Sequence, residues 1–275
     1  HTLRRLSEDG VSILYISHKL QEIKDLCHTA TIMRMGEVVA DCDPAKETPR
    51  SMAEMMMGAN LTPPERTDKA AAGQPHLVVK GLNVASTHTH GTDLQDINFE
   101  VRTGEVLGIA GIAGNGQQEL MDVLSGEALV GDPESIVIDD KPVGASGPNR
   151  RRSVGMAFVP EERLGHGAVP QMSLWENAFL SGATRMNLLK SGFIRVKNSE
   201  DYASKIVDEF RVKTPSIANV ASSLSGGNLQ KFIIGREILQ NPGIIIALQP
   251  TWGVDAGSAA AIRQSLIDLA ANGAA

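Results

Sequence analysis

The sequence lacks the features that would mark a secreted, membrane-spanning or nucleic-acid-coating protein. Its 275 residues include two cysteines, Cys27 and Cys42. That is too few for a disulfide framework, and their spacing is not that of metal ligands, so the default compartment is a reducing cytosol and both thiols read as packing residues. No apolar run approaches the roughly 20 residues of a membrane-spanning helix, and no signal-peptide pattern opens the chain. Any membrane association therefore goes through a partner. Basic charge is not in excess either: 26 Lys and Arg stand against 32 Asp and Glu, a net charge of −6. This balance argues against a nucleic-acid partner held by phosphate neutralisation. The 42% of hydrophobic residues is enough for a real core in one large domain or two modest ones.

The chain reads as two unequal pieces. HTLRRLSEDG has the apolar spacing of a helix ending at Gly10, with no cap to open it, as if cut inside a helix. IRQSLIDLAANG ends the same way: Leu3, Leu6 and Gly10 match Leu266, Leu269 and Gly273 at a constant offset of about 263 residues. This points to a tandem duplication, with the chain running between equivalent points of two copies. Residues 1–45 are then expected to correspond to what the second copy lacks, and to dock there or exchange between chains. VSILYIS (residues 11–17) predicts a buried strand, KLQEIKDLC a helix and ATIMRMGEVVA a hairpin turning at Gly36. TPRSMAEMMMGAN predicts a short helix with Pro49 near its start and methionines as core filler. Residues 61–75, LTPPERTDKAAAGQP, form the expected linker between pieces 1–60 and 76–275. In the second piece, LVVKGLNV and LQDINFEV alternate like antiparallel strands. EVLGIA and GIIIAL read as buried strands, and a helix-rich stretch lies between them. The fold class expected is α/β, a mainly parallel sheet with an antiparallel β subdomain and a helical insertion. Arg150 to Arg152 read as a solvated turn.

GIAGNGQQ, starting at Gly111, has the cadence of a phosphate-binding loop, G-x-x-x-x-G-K-[ST], but Gln117 and Gln118 fill the lysine and hydroxyl positions. LSGGNLQKF, residues 224–232, offers a Ser225 hydroxyl, and its glycines Gly226 and Gly227 let backbone N–H groups approach phosphate oxygens at a helix start. This segment resembles the signature of ATP-binding-cassette (ABC) ATPases, and its place between a helical insertion and an apolar strand is the order that family requires. ISHKLQEIKDLCHTATIMRMGEV is similar to the family's switch-histidine segment, with His18 where the terminal phosphate is sensed. VPEERLGHGAVPQMSLWEN is similar to the segment at its Q-loop, with Glu161 in place of glutamine. GNGQQ, ALQPTWGVD and E-[ED]-R-x-x-x-G resemble the double-cassette ATPases of sugar and nucleoside importers.

The resemblance implies a P-loop NTPase fold holding the end of a first cassette and most of a second, cut before the second switch histidine. It implies an ATPase coupled to transport in the whole protein, using ATP and Mg2+. The implied partners are permease subunits, a solute-binding lipoprotein indirectly and the first cassette of the same chain, on the inner face of the cell membrane. In an intact cassette lysine, a hydroxyl, aspartate and glutamate hold phosphate and magnesium and activate water. Here those positions are Gln117, Gln118, Leu248 and Gln249, and no aromatic stands near Ser86 to stack adenine. A lost charge-assisted contact costs about 1.5–3 kcal/mol, so the missing lysine alone weakens ATP by about 10–100-fold. The chain on its own is therefore expected to turn over no ATP.

The implied site residues are His18, Glu161, Gln249 and Asp255 (D-loop) for catalysis. Gly111, Gly114, Asn115, Gly116, Gln117 and Gln118 form the degenerate loop. Ser225, Gly226, Gly227, Asn228 and Gln230 form the signature, and no residue is assigned to a metal. Cassettes of this family pack head to tail, so the signature is expected to serve ATP held by the first cassette, with His18 facing the same nucleotide. Trp175 and Met172 are candidates for permease contact, and equally for core. A soluble non-transport ABC ATPase and a regulatory or structural module stand as alternatives.

Overall fold

Glycine, proline and threonine set the element ends at the start of the chain, in a computed structural model that describes residues 2–34, 36–58 and 73–275. Among these residues one unit comprises 2–58 with 255–260, and the other 73–254 with 261–275. The expected linker, 61–75, lies outside the described residues except for 73–75.

The first unit holds α1 (Thr2–Glu8), α2 (Leu20–Leu26), β1 (Ala30–Arg34), β2 (Glu37–Cys42) and α3 (Pro49–Met57). Strands β1 and β2 pair as the expected antiparallel hairpin, with Gly36 at φ +87°, a conformation glycine adopts without strain. Helix α3 starts on a reciprocal cap: Thr48 Oγ1 accepts from Ser51 N, Ser51 Oγ accepts from Thr48 N, and Pro49 occupies the first turn. Met52 is buried against Ile23 and Ile32, with Met55 and Met56 packed beside them, so these methionines do fill core. The strand expected at 11–17 does not form. The segment has no strand pairing, and Leu14 and Ile16 are 89% and 88% exposed. An apolar run becomes a strand only when a neighbour satisfies its backbone.

The matched helix ends are real at the level of hydrogen bonds. Gly10 N donates to Ser7 O (3.1 Å) and Val11 N to Leu6 O (3.0 Å). Gly273 N donates to Ala270 O (2.8 Å) and Ala274 N to Leu269 O (3.2 Å), so the pattern recurs at the same offset. Both glycines have positive φ, the usual left-handed helix stop.

In the second unit β3 (Pro75–Val84) and β4 (Leu94–Arg102) pair antiparallel as expected, and β5 (Ile136–Ile138) and β6 (Lys141–Pro142) extend that sheet in the order β4-β3-β5-β6. Helices α4 (Gln117–Ser125) and α5 (Pro148–Ser153) precede β7 (Met156–Val159). The insertion follows: α6 (Leu174–Gly182), a hairpin of β8 (Leu189–Lys190) and β9 (Phe193–Ile194), and α7 (Val196–Glu209). Its two ends are pinned together by Leu174 N to Asn219 O (3.0 Å) and Ala221 N to Met172 O (2.9 Å). Helix α8 (Gly226–Ile238), β10 (Ile244–Ala247) and α9 (Ala256–Ala271) complete the chain. Met121, Val123 and Leu124 of α4 share one core with Leu77, Ile136, Phe158 and Ile244.

Strand β10 lies parallel to β7, in register Ile244 to Met156, and these are the only parallel strands among the described residues. The strand expected at 105–110 is not paired, and Val106 and Ile109 are exposed. Val106, Leu107, Ile109, Ile245 and Ala247 instead line a cavity of about 330 Å3. Ala274 and Ala275 reach its wall, held by Gly104 N to Ala274 O (3.0 Å) and Ile245 N to Ala275 O (2.9 Å).

Arg150 to Arg152 are not a solvated turn. Arg150 is exposed, but Arg151 is fully buried. Its guanidinium donates to the carbonyls of Val123, Leu124 (2.9 Å) and Gly144 (2.9 Å), and its Nε to that of Ser146 (2.8 Å). The cation thus closes the last turn of α4, where carbonyls lack helical partners and favour positive charge. Burial pulls its pKa down to about 10. Arg152 meets the buried Glu237 carboxylate at 2.7 Å, with Arg236 on its other oxygen at 2.9 Å. Burial opposes that charge, but the two guanidiniums outweigh it and hold the Glu237 pKa below the usual range. Arg236 also donates to Gly167 O (2.8 Å) and Asn177 O (3.3 Å), tying α8 to the insertion.

Residues 86–92 are anchored on α4 by His88 Nε2 to Asp122 Oδ2 (2.6 Å) and Ser86 Oγ to Glu119 Oε1 (3.0 Å). The hydrogen bond with Asp122 holds the His88 imidazole above its ordinary pKa.

Two outcomes follow from these contacts. Arg151→Met leaves several buried carbonyls without a donor and should cost about 3 kcal/mol. Arg150→Ala should stay within about 0.5 kcal/mol, both read by urea unfolding. Because folding favours protonated His88, this pairing is fully stabilising below the ordinary histidine pKa and fades as pH rises through the folded value. In an NMR titration His88 should have a midpoint above that of an unpaired histidine, and Asp122→Asn should lower it.

Candidate functional site

The glycine loop leads directly into the first turn of α4. Gly114 and Gly116 take φ of +89° and +93°, Gly116 N-caps α4, and Thr92 Oγ1 holds Gly114 O at 2.6 Å. Gln117 then folds back over the loop: its Nε2 donates to Ile112 O (3.0 Å), and its Oε1 accepts from Asn115 N (3.1 Å). A Cβ on Gly111 would lie 2.4 Å from Gln117 Nε2, so the amide rests on that glycine. The side chain at the lysine position thus occupies one of the loop's own N–H donors. Gln118 points along the helix, its Nε2 on Asp122 Oδ1 at 2.7 Å. Beneath the loop Glu119 is buried and accepts from Thr92 N (2.9 Å) and Ser86 Oγ. Desolvation raises its pKa, but these hydrogen bonds prevail and the net shift is downward.

The ends of β7 and β10 lie side by side, joined by Leu248 N to Val159 O (2.9 Å). Glu161 follows β7 and is exposed. Gln249 follows β10 at φ +48° and accepts from Trp252 N (3.0 Å). Leu248 and Gln117 line the same cavity. Gln117, Gln118, Leu248 and Gln249 provide no anionic oxygen, so these positions do not fit the divalent cation that the resemblance implies.

The signature is arranged differently. Ser225 N-caps α8 without bonding to a backbone donor, and its Oγ accepts from Asn228 Nδ2 (3.0 Å). Ser225 and Gly226 are exposed and Gly227 and Asn228 half-buried, at the start of a 13-residue helix whose first N–H groups have no helical partner. Gln230 departs from the expected role. It is 2% exposed and turned inward, its Oε1 accepting from Arg163 Nε (3.0 Å) and its Nε2 donating to Pro250 O (2.9 Å), so its amide offers nothing to a ligand. Arg163, which the sequence reading passed over inside the E-[ED]-R pattern, also donates to Trp252 O. The only sequence signal for it was an arginine in a turn that ends in glycines.

Asp255 opens α9, its carboxylate accepting from Ser258 N (2.9 Å) and Ser258 Oγ (2.7 Å). Burial works against that charge, yet these bonds lower its pKa. His18, in the first unit, is exposed just ahead of α2.

The ABC transporter family model matches residues 94–251, from β4 through the turn after β10. A galactose/methyl galactoside import ATP-binding protein of Fusobacterium nucleatum is 37% identical over 98% of this chain and 52% of its own length. A glucose import ATP-binding protein of Haloferax volcanii is 35% identical over 99% of this chain and 50% of its own. A nucleoside import ATP-binding protein of Lactococcus lactis is 34% identical, over 99% and 54%. The chain thus spans about half the length of the curated relatives it matches. The dimeric post-hydrolysis structure of an ATP-binding cassette bound to ADP and Pi superposes with a TM-score of 0.59 at 20% identity, over 71% of this chain and 83% of that one, a likeness of fold. As that family model covers more than half of the sequence, the chain belongs to the ABC transporter family.

Proposed function

We propose that this chain is part of the ATP-binding subunit of a sugar or nucleoside importer. In this reading its signature completes an ATP site on another cassette, and its own glycine loop serves as scaffold. The observation that carries the reading is the contrast between two helix starts. The N–H donors ahead of α4 are partly taken by Gln117, whereas those of α8 stand open beside an exposed Ser225. Backbone N–H groups at a helix start stabilise a phosphoryl oxygen without needing a basic side chain. The relatives that support the reading are named for glucose, galactose and nucleoside import.

Residues 1–60 are the end of the first cassette in this reading, and His18 faces the nucleotide that Ser225 to Gly227 complete. Hydrolysis at the chain's own loop is absent, because nothing at 248 or 249 anchors a metal or acts as general base. The importer reading places the protein at the inner membrane face through a permease. Trp175 on α6 and Met172 just ahead of it are half-buried, and Leu180 of α6 is 48% exposed, which supports the insertion as the contact face.

In the double-cassette protein that carries this chain, Ser225→Arg should lower ATP turnover by more than about 100-fold, since it blocks the donors that meet the transferred phosphoryl group. Unchanged turnover would refute the assignment. Calorimetric titration of this chain with Mg-ATP should give weak binding and no phosphate release. Gln117→Lys should tighten binding by about 10–100-fold and still give no turnover; release of phosphate by that variant would mean that a general base lies elsewhere.

A further inference from the structure

The Arg163 guanidinium sits where three segments meet. It extends from the turn after β7, which is closed by Ala168 N to Arg163 O (2.7 Å) and Gly167 N to Glu162 O (2.9 Å). Its Nε reaches Gln230 on α8, and its Nη2 reaches the Trp252 carbonyl in the turn after β10. Gln230 closes the triangle by donating to Pro250 O at 2.9 Å. Glycines make the room: a Cβ on Gly226 would lie 2.6 Å from Arg163 Nη1, and one on Gly253 would lie 2.8 Å from Nη2. Any larger residue at 226, the first position of the signature helix, would displace the guanidinium.

Resting on the importer reading above, we propose that Arg163 is a positioning residue that fixes the signature helix start and the 249–254 turn as one rigid piece. The planar fork suits the task, because it meets two acceptors in fixed directions, which the point charge of a lysine does not. Such rigidity matters when Ser225 and the first-turn N–H groups must meet a phosphoryl oxygen, since a displacement of about 1 Å costs on the order of 100-fold in rate. Arg163 acts through Gly226 and Gln230 and touches no nucleotide.

The test uses Arg163→Lys, Gln230→Met and the double variant. In the double-cassette protein each single change should lower kcat by about 10–100-fold and leave the KM for ATP within about threefold, because another cassette's loop binds the nucleotide. The double variant should be no slower than the worse single one, as expected of two residues acting in one cluster. Multiplying effects, a raised KM with unchanged kcat, or full turnover by folded Arg163→Lys would overturn the proposal. Hydrogen exchange on this chain gives a readout that needs no turnover. Arg163→Lys should speed exchange at the Leu229 and Trp252 amides together, and loosening of only one of them overturns the coupling. If Ser225→Arg leaves turnover intact, the importer reading fails while the exchange result still decides whether Arg163 couples the two segments.

Discussion

A helix that begins at the end of a loop presents backbone N–H groups with no helical partner, and something must meet them. The chemistry of this chain follows from how it does so at two places. Just ahead of α4 one loop donor, Asn115 N, is met from within by the carboxamide of Gln117 lying on Gly111. At α8 no side chain caps the backbone, and Ser225 turns its hydroxyl to Asn228. The first start is a closed local arrangement and the second an open one.

The framework that holds these two helix starts is made of buried charge as much as of apolar packing. Arg151 closes the C-terminal end of the same helix that Gln117 begins, so one helix is tied by side chains to the loop ahead of it and to the turn behind it. Glu237 gathers Arg152 and Arg236, and Arg236 reaches on to Asn177 in the insertion and to Gly167 in the turn after β7. Buried ion pairs of this kind add little net stability over an apolar core, because desolvation offsets most of their attraction. Their worth is geometric. Each guanidinium has a fixed set of acceptors, and moving one helix against the next leaves a buried donor unpaired.

Much of this was legible in the sequence. Gly36, Pro49, the matched Gly10 and Gly273, and the alternation in β3 and β4 all depend on neighbours within a few residues, and each element formed where its local chemistry placed it. The signature helix was legible for the same reason. Residues 11–17 and 105–110 were not, although both are apolar and of strand length, because a strand exists only through the segment beside it and composition does not say whether that segment is there. Three consecutive arginines look solvated until α4 offers its carbonyls to the middle one. Gln230 and Arg163 were misplaced or overlooked because their partners lie about 20 and 90 residues away.

The positions that depart from the ATPase pattern share a physical logic. Lysine, hydroxyl, aspartate and glutamate act on one nucleotide and one metal, so once the aspartate position is Leu248 a hydroxyl at 118 has no metal to share. Gln118 is then free to bond Asp122, and Gln117 to cover its own loop. Loss of one charge thus removes the reason to keep the others. The signature does not depend on that set, since its donors are backbone groups whose direction is fixed by the helix and whose position is fixed from behind. A chain can therefore lose all the side-chain chemistry of one site and still present the backbone half of another. In the proposed function this is the asymmetry between α4 and α8.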